Sequence, residues 1–150
     1  MRQIITLALM LFALPLLAQE RPLNTGLSIE EHHSFIGMTL QELIERFGSP
    51  RAVAAVRGNE VWQDDVVFQY TGVDFYIHRD RVWQVLFASA YGVLNGDRKA
   101  AVLLTLGDKA EDMGDHLLMP VTGRNWPLML RVNFSNNGLV TAIFLYRPNF

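Results

Sequence analysis

The chain has no cysteine among its 150 residues. That excludes a disulfide framework, a thiolate metal site, a cysteine nucleophile and an acylated amino-terminal cysteine, so no lipid anchor is expected. It also lacks an excess of positive charge, with 13 Lys and Arg against 15 Asp and Glu. The one tight basic cluster, Arg79-Asp80-Arg81, is split by an acid, and no nucleic-acid footprint remains. Long apolar runs are missing too. The run at residues 4–17 has about 14 residues against the roughly 20 that span a bilayer as a helix.

What that run does have is the layout of a secretory signal peptide: Arg2 ahead of it, Pro15 near its end and Ala18 just after it. Residues 1–18 are therefore expected to be a signal peptide cleaved near Gln19, and the protein to be periplasmic or secreted. Cleavage removes Arg2 and no acid, leaving twelve basic and fifteen acidic side chains and a formal charge of −3. Residues 19–35 are polar and broken by Pro22 and Gly26, and they read as a flexible arm. Residues 36–150 suit a single domain, large enough to bury a core without staples.

Within that domain one pattern occurs twice. In IGMTLQELIERFGSPR, Thr39 and Glu42 have capping-box spacing, Leu40, Leu43, Ile44 and Phe47 form one helical stripe, Gly48 ends it and Pro50 prevents its resumption. Fifty-nine positions later, Gly96, Val102, Leu103, Leu106 and Gly107 stand where Gly37, Leu43, Ile44, Phe47 and Gly48 stood, with Asp97 as the expected amino-terminal cap. Two unrelated helices with glycine stops are the competing reading.

After each helix comes a stretch rich in β-branched and aromatic residues, cut by turn chemistry at Arg57-Gly58-Asn59, Thr71-Gly72 and Arg79-Asp80, then at Thr122-Gly123 and Asn136-Asn137-Gly138. Val73, Phe75 and Ile77 alternate with Asp74, Tyr76 and His78 and return through Val82. Leu130, Val132 and Phe134 return through Val140, with Gly138 absorbing an extra residue as a bulge. The expected fold is α+β, in two tandem units (residues 36–90 and 91–150) of a short helix plus antiparallel sheet. Their apolar faces share a core because one unit alone would be marginal.

These residues carry a resemblance. Gly37-Met38-Thr39, Phe47-Gly48-Ser49-Pro50 and Phe75-Tyr76-Ile77 with Val82, followed by Gly96-Asp97 and Leu106-Gly107 in the second unit, resemble the fold shared by β-lactamase inhibitor proteins and the SmpA/OmlA (BamE-type) outer-membrane assembly family. The likeness spans about residues 36–146. It implies an extracytoplasmic protein that binds another protein, either an envelope component or a secreted enzyme. Assembly-family members are generally lipoproteins, from which this chain departs by having no cysteine. The inhibitors' enzyme-contacting loops find no match, so no residue role is carried over.

Periodicity assigns Phe47, Phe75, Phe87, Phe134 and Phe144 to the core. Tyr76 and Trp83 fall on the opposite strand face, across from each other if Ile77 pairs with Val82, with His78 and Arg81 alongside. Aromatics with arginine are the composition of an interface hot spot, and Trp62, Tyr70 and Trp126 are further candidates for the same surface. Packing of that face on the other unit or on the arm is the alternative.

A catalytic reading finds little. Ser28, Ser34, Ser49, Ser89 and Ser135 lie in turns or arms outside any Gly-x-Ser-x-Gly elbow. Adjacent Asp64 and Asp65 point to opposite faces of a strand and read as solvated. Glu30-Glu31-His32-His33 has metal-ligand chemistry, as do Asp112, Asp115 and His116, but neighbours on a solvated arm lack the supporting residues a stable site needs. No catalytic residue, cofactor or metal is expected, and the chain reads as a binding module. The alternatives are a small periplasmic enzyme of unknown reaction and an outer-membrane barrel. The barrel is suggested by Val140, Ala142, Phe144 and Tyr146 alternating toward a terminal Phe150, but strands broken about every seven residues fall short of the 9–11 needed to cross.

Overall fold

The computed structural model describes residues 28–57, 65–122 and 125–149. The expected signal peptide lies outside the described residues, as do residues 19–27 of the arm. The rest of the arm is helical, contrary to expectation. Ser28 Oγ accepts from the Glu31 N–H at 3.2 Å while the Glu31 carboxylate accepts from the Ser28 N–H at 2.8 Å, and this reciprocal cap starts α1 (Ile29–Phe35). Phe35, at 0% exposure, anchors it in the core.

The expected cap of Thr39 and Glu42 starts α2 (Leu40–Phe47), and Gly48 at φ 75° ends it. The third helix, α3 (Lys99–Leu106), ends at Gly107 in the same manner. Its cap differs from expectation: Arg98 holds that position without a side-chain bond, because the Asp97 carboxylate instead accepts from the Leu94 N–H at 2.8 Å. A 3-10 turn, Gly107–Lys109, follows.

The strands are β1 (Ala52–Val56), β2 (Asp65–Tyr70), β3 (Val73–His78), β4 (Arg81–Phe87), β5 (Ser89–Ala90), β6 (Val93–Leu94), β7 (Glu111–Asp112), β8 (His116–Val121), β9 (Leu128–Phe134) and β10 (Val140–Tyr146). Eight of them form one antiparallel sheet in the order β1-β2-β3-β4-β10-β9-β8-β7, and β5 and β6 form a small separate hairpin. The fold is α+β. At the middle of the sheet Phe87 stands opposite Ile143 and Val85 opposite Leu145.

The buried residues of all three helices, including Phe35, Leu43 and Val102, gather in one cluster with Val73, Phe75, Val85, Leu130, Ile143 and Leu145 from one face of the sheet. Phe75 and Phe87 are core as expected, whereas Phe47, Leu106 and Phe134 are half-buried at its margin. Phe144 is not part of the core. A bulge between Val140 and Ala142 shifts the alternation of β10, so Ile143 and Leu145 face the helices and Phe144 faces away. Among the described residues no helix is long and apolar enough to cross a membrane.

Candidate functional site

The face of the sheet turned away from the helices carries the largest group of expected site residues. The β3–β4 hairpin closes through Arg79 and Asp80 at φ 46° and 67°, the two left-handed residues of a tight turn. Ile77 stands opposite Val82, and His78 opposite Arg81. A bulge then interrupts β4, so Tyr76 faces Gln84 and not Trp83. Trp83 still projects on this face. Its indole N–H donates to Asp65 Oδ1 at 3.1 Å, and His78 Nδ1 lies 3.7 Å from the same oxygen. Asp65, expected to be solvated, is 9% exposed for this reason. Asp64 lies outside the described residues.

Tyr76 meets the ring of Phe144 edge to face at 6.4 Å, which brings the two halves of the sheet together on this side. Burial raises the Tyr76 hydroxyl above its ordinary range, and the charges of Asp74 and Asp65 add to that. Asp74 is also raised, by burial, against a hydrogen bond from Gln69. The phenol is therefore a donor throughout the neutral range.

The remaining candidates disperse. Tyr70 is a core residue, because its ring packs 5.7 Å from Phe75 and 6.0 Å from Phe47 and its hydroxyl donates to the Gly48 carbonyl at 2.8 Å, tying the end of α2 to β2. Trp62 lies outside the described residues. Arg81 is drawn to the helix side, where its guanidinium donates to the Gly37 carbonyl at 2.9 Å. Trp126 lies there as well, seated on Gly37 with the Arg147 guanidinium 4.8 Å above its ring.

Arg81 and Trp126 thus line a separate cleft of about 600 Å³, together with Ser34, Glu42 and Arg46. Its charges serve the fold. Hydrogen bonds from the Thr39 backbone and hydroxyl hold Glu42 low, and Arg46 stacks 5.2 Å from the Phe35 and Phe47 rings while donating to Ser34.

Sequence reasoning misses His32. Expected on a solvated arm, it is 4% exposed, with its ring against Phe87 at 4.9 Å and Tyr91 at 5.6 Å. Neither ring nitrogen, nor the Tyr91 hydroxyl, has a hydrogen-bond partner among the described residues. Burial lowers the His32 pKa, His33 adds to the effect and Glu31 opposes it. Burial likewise raises Tyr91, which sits at φ 56°. The signal for α1 is present as Ser28-x-x-Glu31, the same spacing that marks α2. Among the described residues no group of three metal-ligating side chains converges. Asp112 accepts from Lys99 Nζ at 2.6 Å, and Asp115 pairs with His116 at 2.6 Å.

No family model matches the chain. No curated protein matches it either. Among solved structures it is similar to an extracellular protein containing a SCP domain from Bacillus anthracis str. Ames, with 12% identity and a TM-score of 0.48 over 77% of this chain and 45% of that one. The chain therefore spans less than half the length of that protein. At that identity and TM-score the likeness fixes neither fold nor activity.

Proposed function

We propose that this is an exported, non-enzymatic protein-binding module whose partner, an envelope component or a secreted enzyme, docks on the helix-free face of the sheet. The observation that carries the reading is the aromatic pair Tyr76 and Phe144 at the junction of β3, β4 and β10, flanked by Trp83, His78 and Asp65 and covered by none of the described helices. Half-buried aromatics with polar rims supply large contact area at small entropic cost, which is how interface anchors work. The strand order supports the finer reading of two helix-plus-sheet units. Each half runs helix then strands, α2 with β1 to β4 and α3 with β7 to β10, and the halves meet at β4 and β10. That arrangement is also what the resemblance to the inhibitor and assembly families implies. Export rests on the composition of residues 1–18, and mature protein recovered outside the cytoplasm should begin within a residue or two of Gln19.

The test is the double substitution Tyr76→Ser with Phe144→Ser, which leaves the Trp83 bond to Asp65 intact. Losing one edge-to-face contact and two partly exposed rings should cost about 1–2 kcal/mol of stability. Capture of the partner from an envelope extract should fall by more than roughly tenfold, as expected when anchors worth about 2 kcal/mol each are removed. A folded variant that captures at full strength removes this face from the proposal.

A further inference from the structure

The two edges of the sheet are built differently. At one end β7 is two residues long, and both residues, Glu111 and Asp112, are acidic. Short, charged edge strands are how sheets prevent unwanted pairing. At the other end β1 is AVAAV, five uncharged residues, all exposed, with Val53 at 56% and Val56 at 45%. Among the described residues β1 pairs with β2 alone, and no described strand takes up its outer row of backbone N–H and C=O groups. It contains neither proline nor charge.

We infer that β1 is a docking edge for an extended segment of a partner protein, which adds as a further strand and carries a carboxylate at each end of an apolar middle. The backbone of β1 sets the conformation, because only an extended chain can satisfy a row of alternating donors and acceptors. The flanks set the charge. Arg51 and Arg57 are both exposed and flank β1 on either side; Arg51 lies just outside the strand, with its N–H donating to the Gln69 carbonyl at 2.8 Å and its guanidinium donating to Thr71 Oγ1 at 3.4 Å. A partner strand paired with β1 brings its two ends near these side chains, where opposite charges stabilise and like charges destabilise.

This charge pattern selects against a second copy. Antiparallel self-pairing centred on Ala54 would bring Arg51 of one copy to the same end as Arg57 of the other, at both ends. Pairing with the acidic β7 edge of another copy satisfies the charges but supplies only two residues against the five of β1. The inference rests on the reading of the chain as a protein-binding module, yet it uses a different surface from Tyr76 and Phe144.

The probe is a labelled, end-blocked heptapeptide of five alternating valines and threonines with a glutamate at each end, titrated against mature protein by fluorescence anisotropy. Saturable binding is expected. Val53→Lys, which places a charge on the open edge, should weaken it by about tenfold or more, with thermal melts showing that the fold is retained. The double change Arg51→Glu with Arg57→Glu should weaken it similarly and be rescued when the peptide ends in lysines. N-methylation of one alternate set of peptide amides should abolish binding while the other set is tolerated, because only one set faces β1.

Absence of saturable binding overturns the proposal. So does indifference to Val53→Lys or to both methylation patterns. Concentration-dependent self-association of the free protein that Val53→Lys abolishes, and that the peptide does not reverse, would make the occupant a second copy and also overturn it. The Tyr76→Ser, Phe144→Ser variant should bind the peptide like wild type, so failure of the sheet-face reading and failure of the edge are separately visible.

Discussion

Gly37 joins α1 to α2 at φ 92°, and a Cβ added there would lie 2.4 Å from Trp126 Cζ2 and 2.9 Å from Cη2. The backbone cannot swing away, because the Gly37 N–H donates to the Val82 carbonyl at 2.7 Å and its own carbonyl accepts from Arg81 at 2.9 Å. Gly37→Ala therefore carries two costs. A side chain in a glycine-favouring conformation costs about 1–3 kcal/mol. Displacing a half-buried indole that also carries the Arg147 guanidinium adds about 1–3 kcal/mol of overpacking. Gly48→Ala is the control for the first cost alone, since Gly48 is at φ 75° and a Cβ added to it would meet nothing within 4 Å. Urea unfolding should place Gly37→Ala about 2–6 kcal/mol below wild type and Gly48→Ala about 1–3 kcal/mol below. In a Trp126→Ala background the cost of Gly37→Ala should shrink by about 1–3 kcal/mol, the coupling of two groups in contact. A cost that is the same in both backgrounds would refute the seating of Trp126 on Gly37.

Three further outcomes are expected. Burial holds the His32 imidazole below its ordinary value, so the unfolded chain binds the extra proton below about pH 6.5; this contribution to stability is complete above that pH and is lost as pH falls toward the folded-state pKa. The melting temperature should thus drop between about pH 7.5 and 5.5 by more in wild type than in His32→Phe, and equal slopes would exclude His32 as the cause. Trp83→Phe removes the donor to a nearly buried Asp65 carboxylate and should cost about 1–3 kcal/mol in chemical denaturation; a neutral result would show that other contacts hold Asp65. Leu43→Ala and Leu130→Ala, both in the common core, should each cost about 2–5 kcal/mol and lower one calorimetric transition, whereas two transitions would mean that the halves unfold independently.

Elements whose signals are local are legible in the sequence. Thr39, Glu42 and Gly48 bound α2, and Arg79-Asp80 closes the β3–β4 hairpin, because each depends only on residues within one turn. Expectation and structure part where one residue changes a register. The bulge in β10 sends Phe144 to the open face, and the bulge in β4 moves Trp83 out of line with Tyr76. Neither bulge occurs at a glycine, so nothing in the local sequence marks it. Helix α1 escapes a sequence reading despite its Ser28 and Glu31 cap, because Pro22 and Gly26 nearby suggest irregular chain and because two adjacent histidines read as solvated. Its burial is decided by Phe87 and Tyr91, more than fifty residues away. Tyr70 shows the same limit, since only the position of Gly48 reveals that its hydroxyl has a structural partner.

The central place of β10 has a kinetic consequence. It pairs with both β4 and β9, and its partners in β4 precede it by more than fifty residues, so the junction of the sheet requires a long loop to close. Until Val140–Tyr146 has emerged from whatever channel delivers it, β4 and β9 each present a bare edge, and Val85 and Leu130 lack the strand that lies between them. A chain threaded amino terminus first must therefore remain incompletely folded until its tenth strand arrives. Insertion of that strand between two waiting edges is then the expected late step of folding, and the interval before it is when mispairing is expected.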